Sequence, residues 1–420
     1  MKLLFLANRI PYPPYRGDKL KIFHLAKRLA QRHELHLLTF TESAKDITYR
    51  AALEEIFKVV KLVHLPKWKA VLSTASGAAK DLPLQVAYFQ TQAMRHAADH
   101  MMAQHRYDAV HVQHLRMAPY LCNYTTTPRI LDLPDAFSLY WQRRKEVQRH
   151  PLVKIFQEME GERVARYEAR ILPHYDRVLA CSPEDIAYLQ KKHGATNLSL
   201  LPNGVDLATF DRLPPHDYRP GNVLLFTGNM DYAPNVDAVT YFAKEVLPLV
   251  RKKHPDVRFL IAGQRPIPRV QDLTEDGAEV LGFVEDMAAM YRRASVVVAP
   301  LRFGAGTQNK VLEGMAAGVP VVCSEIGFAG LGVENGEGVI LQRDALGFAD
   351  SVSNLLSSES SRRRIGALGA AAVRARFGWD AIAAQLERYF EEVVASRSGT
   401  RSAGGTMLGE STTGTVVGEG

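Results

Sequence analysis

Two hydrophobic rhythms alternate along the chain. Short runs that are apolar at nearly every position give way to stretches in which apolar residues recur every three or four positions. "KLLFLANRI" (2–10) predicts a strand that enters a loop containing Pro11, Pro13, Pro14 and Gly17. In "KLKIFHLAKRLAQRH" (19–33), Leu20, Phe23, Leu25, Ala26 and Leu29 fall on one helical stripe, and "ELHLLTF" (34–40) returns to strand. This is a β-α-β unit. "DAVHVQH" (108–114), "PRILDLPD" (128–135) and "DRVLACS" (176–182) continue the strands, with a long polar helical stretch from about Leu139 to Leu172.

A second series follows "LPNGVDLATF" (201–210) and the proline-rich "RLPPHDYRPG" (212–221). Its strands are "NVLLFTGNM" (222–230), "DVRFLIAGQ" (256–264), "AEVLGFV" (278–284), "ASVVVAPL" (294–301), "VPVVCSE" (319–325) and "GEGVILQ" (336–342). Helical patterns sit near 235–253, 286–294 and 308–318. Strands that are apolar throughout are buried on both faces, as in parallel sheets. The expected fold is α/β: two doubly wound, Rossmann-like domains, 1–205 and 206–377, joined near 203–221. "RFGWDAIAAQLERYFEEVVAS" (376–396) predicts an amphipathic closing helix. Of the 24 residues in 397–420, 15 are Gly, Ser or Thr without apolar period, which predicts disorder there.

Composition narrows the class. With 420 residues, 46% hydrophobic and 23% charged, this is a globular chain and not a disordered, collagen-like or disulfide-stapled one. No apolar run approaches the ~18 residues of a membrane span. Leu3–Ala7 is too short for a signal-peptide core. The three cysteines, Cys122, Cys181 and Cys323, are scattered, which argues against structural zinc and for a reducing, cytoplasmic setting. Residues 1–205 carry 30 Lys+Arg against 19 Asp+Glu, and residues 206–420 carry 22 against 26. A basic first half suits an anionic partner, either a membrane surface or a phosphorylated substrate, or simply a solvated face. No nucleic-acid-binding motif accompanies the charge. "YWQRRKEVQRHPLVKIF" (140–156) mixes basic and apolar residues in a way that fits anionic headgroups or a solvated basic surface, and Pro151 interrupts it.

The most informative stretch is "APLRFGAGTQNKVLEGMAAGVPVV" (299–322). A strand leads through Gly304 and Gly306 directly into a helix beginning near Thr307 or Gln308. Glycines allow backbone amides to approach a ligand, and a helix N-terminus favours phosphate. Lys310 in the first turn can add its ammonium, and Glu313 lies on the same face, suited to ribose hydroxyls. A tight turn with a surface Lys–Glu pair is the competing reading.

Together with "LPNGVD" (201–206), "LLFTGNMDYAPNVDAV" (224–239), "FLIAGQRP" (259–266), "VLGFVEDM" (280–287) and the opening 5–40, this stretch resembles the family-4-like glycosyltransferases, retaining enzymes of the GT-B fold. "GNMDYAPN" further resembles a bacterial subgroup tied to exopolysaccharide and exosortase loci. The resemblance implies a nucleoside diphosphate sugar donor and no metal or other cofactor. It implies that Glu313 binds the donor ribose, and that Lys310 and the amides of Ala305, Gly306 and Thr307 hold the diphosphate. Phe283 and Val284 would contact the base, and Gly17 would let the first domain approach the diphosphate. Gly228 and Asn229 fall at the donor side, and the last helix, 378–396, would cross back to the first domain.

Two departures stand out. The cationic pair usual after "GN" is absent, since Met230 and Asp231 follow, so Arg302 and Lys310 would have to supply the charge. The glutamate usual eight residues before the ribose-binding one is Ala305. On the acceptor side, His111 matches the first of a family histidine pair and the second falls on Gln113. His111 and Gln113 would point one way and His114 the other. Asp132 and Asp135 end a neighbouring strand, as acceptor-orienting groups or, for Asp135 or Ser138, as helix caps. The expected function is sugar transfer to a saccharide or lipid-linked acceptor, in the cytoplasm or on the inner face of a membrane. A sugar-nucleotide 2-epimerase and a non-catalytic binder are the alternatives.

Overall fold

The computed structural model describes residues 1–14, 17–66, 68, 73–74, 81–211 and 221–403. Most of the "RLPPHDYRPG" junction and residues 404–420 lie outside the described residues. The first sheet contains β1 (Lys2–Ala7), β2 (Glu34–Thr41), β3 (Val59–His64), β4 (Ala109–Gln113), β5 (Arg129–Leu133), β6 (Arg177–Ala180) and β7 (Leu198–Leu200). The second contains β8 (Val223–Thr227), β9 (Arg258–Ala262), β10 (Ala278–Gly282), β11 (Val296–Ala299), β12 (Val321–Cys323) and β13 (Val339–Leu341). Their orders are β3-β2-β1-β4-β5-β6-β7 and β10-β9-β8-β11-β12-β13, and the pairings are parallel. Both therefore follow the doubly wound plan, with the strand order reversing beside β1 and β8.

β3 and β7 carry no sequence-level prediction above, and the reason is their place at the sheet edges. β3 alternates buried with exposed or half-buried positions, and β7 is a three-residue strand with no buried position. The polar stretch expected at 139–172 is two packed helices, Phe137–Val147 and Pro151–Ile171, with Pro151 opening the second.

The last helix, Trp379–Ala403, returns to the first sheet. Trp379, Ile382, Leu386, Phe390 and Val393 share one core with Leu3, Phe5 and Ile22. Trp379 stacks on His24 with ring centroids 5.1 Å apart, and Gly204 makes room for it: a Cβ there would lie 2.6 Å from the indole. The helix also runs past residue 396, where disorder was expected to begin. Arg397 explains the extension, since its Nε donates to Asp176 Oδ1 at 2.7 Å and its guanidinium reaches the Thr125 carbonyl.

Candidate active site

A cleft of about 730 Å³ opens between the carboxyl ends of the two sheets, the position where doubly wound folds bind ligands. Gly17, Gln113, His114, Asp132, Asp135, Gly228, Asn229, Phe283, Val284, Ala305, Thr307, Lys310 and Glu313 all line it.

The wall from the second unit is built by close backbone packing. Gly263 N–H donates to the Gly282 carbonyl at 2.7 Å and Gly228 N–H to the Ala262 carbonyl at 3.1 Å. A Cβ on Gly263 would sit 1.6 Å from the Gly228 oxygen, so only glycine lets the loops after β8 and β9 cross. The strand β11 then leads into the helix Asn309–Ala316, whose N-cap, Gln308, makes no side-chain capping hydrogen bond. Val311 N–H donates to the Gln308 carbonyl at 3.0 Å, so the amides of Asn309 and Lys310 are the ones a helix start offers to an anion.

Lys310 and Glu313 sit on that helix as the spacing predicts. Lys310 is buried over the Phe226 ring, its Nζ 5.3 Å from the centroid and 3.3 Å from Gln308 Oε1. Burial pulls its pKa down to about 8, with Glu313 acting in the opposite direction. Glu313 Oε2 accepts a 2.8 Å hydrogen bond from the Tyr291 hydroxyl, which lies 2.5 Å from Thr227 Oγ1. Burial pushes the Glu313 carboxyl above its ordinary value, and Tyr291 and Lys310 oppose that shift. The Thr227–Tyr291 brace was not visible in the sequence, because neither residue type nor spacing links the end of β8 to the middle of the helix Met287–Arg293.

The wall from the first unit corrects the expected faces of β4. His111 is fully buried behind the sheet, against Phe5 (4.8 Å) and Phe390 (6.2 Å), and does not line the cleft. Its Nε2 lies 3.4 Å from Asp132 Oδ2. The cleft-facing histidine is His114, because β4 ends at Gln113 and His114 takes φ +79°, which breaks the alternation. The backbone N–H of Arg116 donates to His114 Nδ1 at 3.2 Å. Burial, with Arg116 and Arg9 nearby, drives the His114 pKa well below its ordinary value. With its pKa lowered and Nδ1 accepting, the neutral His114 ring has Nε2–H as its donor. Asp132 is buried and paired with Lys21 Nζ at 2.7 Å. The N-cap of the following helix is Ala136 and not Asp135 or Ser138.

Three donor-side expectations also change. Arg302 lies outside the cleft, bound to Asp237 at 2.8 Å and stacked over Tyr241. Arg302→Ala should leave nucleotide affinity at the wild-type value, measured by titration calorimetry. Thr307 N–H points at Cys181 Sγ (3.4 Å) and its hydroxyl donates to the Cys181 carbonyl at 2.7 Å, so it ties the units together. Gly304 and Gly306 do not line the cleft. The Gly304 carbonyl accepts from Arg143 at 2.9 Å, and Gly306 packs on Pro134, Asp135 and Cys181.

In place of the missing cationic pair, the loop after β8 and the first turn of the helix Ala233–Tyr241 present Asn229, Tyr232 and Asn235. Positive charge comes instead from the first unit, where Arg116 and Arg144 line the cleft beside the aromatic side chains of Phe137, Tyr140 and Trp141, while Arg9, also at the cleft, is paired with Glu42 at 2.8 Å. The basic first half is legible in the sequence, but which of its arginines reach the cleft is set by the assembled fold. Among the described residues, no group of three or more His, Cys, Asp or Glu side chains is placed to hold a metal ion.

Two parallel Rossmann-like units with a shared cleft define a GT-B architecture. Comparison with known proteins names the family. Glycosyltransferase Family 4 matches residues 22–209, and Glycosyl transferases group 1 matches residues 221–358, one on each unit. The chain belongs to the GT-B glycosyltransferases built from these two domains. It is 32% identical over 209 residues to the phosphatidyl-myo-inositol mannosyltransferase of Mycobacterium tuberculosis (47% of this chain, 54% of the relative). The chain thus spans about half the length of such curated relatives. Over 376 residues it is 23% identical to an uncharacterized 44.6 kDa protein of the Klebsiella pneumoniae cps region, covering 87% of this chain and 93% of that one. Two solved structures share the fold. Sucrose-phosphate synthase from Thermosynechococcus elongatus has a TM-score of 0.69 at 18% identity, covering 94% of this chain and all of its own. Anabaena HepE in complex with UDP and glucose has a TM-score of 0.63 at 16% identity, covering 93% of this chain and all of its own.

Proposed function

We propose that this protein transfers a sugar, with retention and without a metal ion, from a nucleoside diphosphate donor to a hydroxyl of a saccharide or lipid-linked acceptor. The observation that carries this reading is the Lys310–Glu313 pair at the uncapped start of the helix Asn309–Ala316, set in a cleft that both units line. Glu313, oriented by Tyr291, accepts from the ribose hydroxyls. Lys310 and the first-turn amides hold the diphosphate, with the base against Phe283 and Val284. The acceptor oxygen bonds to the anomeric carbon as the sugar–phosphate bond breaks, and its proton passes to the departing phosphate.

The charge that develops there is met by Lys310, the helix terminus and the arginines of the opposite wall, Arg116 and Arg144. Enclosure between the two units limits hydrolysis of the donor. A curated relative named as a phosphatidyl-myo-inositol mannosyltransferase, and another in a cps region, favour an acceptor in cell-surface glycoconjugate or polysaccharide synthesis, reached from the cytoplasmic face of a membrane.

A thermal-shift screen against UDP-, GDP-, dTDP- and ADP-sugars, followed by product analysis, tests the reading. A ligand at ~100 times its Kd stabilises by ~2.7 kcal/mol. A shift with one nucleotide series and a transferred sugar support it. An epimerised donor, or binding without turnover, overturns it.

Among the titratable groups that line the cleft, His114 and Lys310 shape the neutral and alkaline part of the pH profile. His114 is neutral across the working range, so no acid limb near its ordinary pKa is expected. Lys310 loses its proton as pH rises through about 8, so nucleotide affinity should fall above that point. Binding measured across that range checks the sign, since an affinity that rises with pH would exclude Lys310 as the phosphate cation.

A further inference from the structure

The helix Phe137–Val147 gives the first-unit wall one continuous stripe. Phe137, Tyr140, Trp141 and Arg144 line the cleft, at the spacing that puts side chains on one helical face. The start of this helix is not capped from within. Ala136 at the N-cap has no side-chain oxygen, and the buried residues are Phe137, Ser138 and Leu139, all in the first turn. Two buried carboxylates from outside the helix meet that turn. Asp185 Oδ1 accepts the Ala136 N–H at 3.3 Å. Glu168 Oε1 accepts the Ser138 N–H at 3.2 Å, and its Oε2 accepts the Ser138 hydroxyl. His193 Nε2, at the end of the helix Pro183–His193, lies 3.0 Å from the same Oε2. Glu168 belongs to the helix Pro151–Ile171 and is fully buried. One carboxylate thus joins three helices at the point where the wall helix begins.

We infer that Glu168 is a positioning residue: it caps the helix Phe137–Val147 from a neighbouring helix and fixes its rotation, so that Tyr140, Trp141 and Arg144 face the donor. The free N–H groups and positive end of a helix start favour a carboxylate. An apolar side chain of similar size would fill the same space at a lower desolvation cost. What the carboxylate adds is direction, because its two oxygens hold both the backbone and the side chain of Ser138. Rotation of the helix by one residue position, about 100°, would carry the whole stripe off the cleft. Glu168 does not itself line the cleft, so it acts through the helix. The consequence for turnover rests on the transfer reading; the anchoring does not.

The test compares Glu168→Leu with Glu168→Gln in the full chain, by two measurements. The first is amide hydrogen exchange of the free protein, read by mass spectrometry. In Glu168→Leu the segment 136–147 should exchange about 10-fold faster, while Asn309–Ala316 keeps its wild-type protection. In Glu168→Gln, whose amide oxygen still accepts from Ser138, protection should be largely restored. The second measurement is release of nucleoside diphosphate from the donor sugar nucleotide that stabilises the wild type, with water as acceptor. Glu168→Leu should lower kcat by about 10-fold at unchanged donor KM, and Glu168→Gln should rescue it. If Glu168→Leu does not fold, Ser138→Ala removes only the hydroxyl bond and should move both readouts in the same direction. Wild-type protection of 136–147 overturns the inference, as does faster exchange that extends to Asn309–Ala316, which would make Glu168 a support of general stability. Lost protection with wild-type kcat also overturns it. A wild type that releases no nucleoside diphosphate from any donor sinks the transfer reading instead, and the exchange result alone then decides the anchoring.

Discussion

Lys310→Met is expected to raise the melting temperature of the free protein and, in the same sample, to remove its stabilisation by the donor nucleotide. Burial holds the Lys310 pKa at about 8, below its ordinary value. The folded state therefore binds this proton less tightly than the unfolded chain does. Sign matters here: the unfolded chain holds more protons between about pH 8 and the ordinary lysine value, so stability rises with pH across that window. At neutral pH both states are protonated and the full cost of burying the ammonium is paid. Methionine keeps the aliphatic length over Phe226 and removes the charge, which should stabilise the free protein by roughly 1–3 kcal/mol. Turnover should fall by about 10²-fold, as when one charged donor to a developing anion is lost. Thermal unfolding with and without nucleotide reads both effects. A free protein that is destabilised, or a variant that keeps its nucleotide shift, would contradict the assignment of Lys310 as a destabilised, ligand-directed cation. Glu313→Ala should also lower donor affinity, but it leaves Tyr291 with Thr227 as a remaining partner.

The features legible in the sequence are those set by local pattern. Central strands such as β1 and β8 are buried on both faces and announce themselves as unbroken apolar runs. The Gly-rich passage into the helix Asn309–Ala316 is likewise a local signal, and Lys310 and Glu313 on that helix line the cleft. What was lost depends on tertiary neighbours. Strand alternation and family position predict His111 in the cleft, yet Phe5 and Phe390, distant in sequence, claim its face of the sheet. His114 replaces it only because one residue adopts a positive φ after β4. Arg302 follows a strand end, as a phosphate-binding arginine does, but Asp237 on the helix Ala233–Tyr241 captures it. The arginines that do reach the cleft come from elements of the first unit whose approach to the second is a property of the assembled fold. Pattern also could not show that the last helix continues to Ala403, since Arg397 depends on Asp176, more than 200 residues earlier.

Gly306 carries the second large effect, because it sits where the two units touch rather than where the ligand lies. Its φ is +73°, a conformation that costs an L side chain about 1–2 kcal/mol. A Cβ there would lie 2.3 Å from Asp135 Oδ1, 2.6 Å from the Pro134 carbonyl and 2.9 Å from Cys181 Sγ. The Asp135 side chain can move, but the Pro134 backbone holds the end of β5, and relief requires the units to separate. Overpacking of this kind costs roughly 1–3 kcal/mol. The neighbouring ties, Thr307 to Cys181 and Arg143 to Gly304, would open with it. Gly306→Val should therefore lower kcat by roughly 10²-fold or more, since the first-unit arginines and His114 no longer face the donor. Donor affinity should change far less, because Lys310, Glu313 and Tyr291 all belong to the second unit. Small-angle scattering should show a larger radius of gyration for the variant with donor bound. A variant that keeps wild-type kcat would mean that the chemistry does not need the first unit at this distance. A loss confined to donor affinity would instead make the loop a binding element, with Gly306 serving the diphosphate directly.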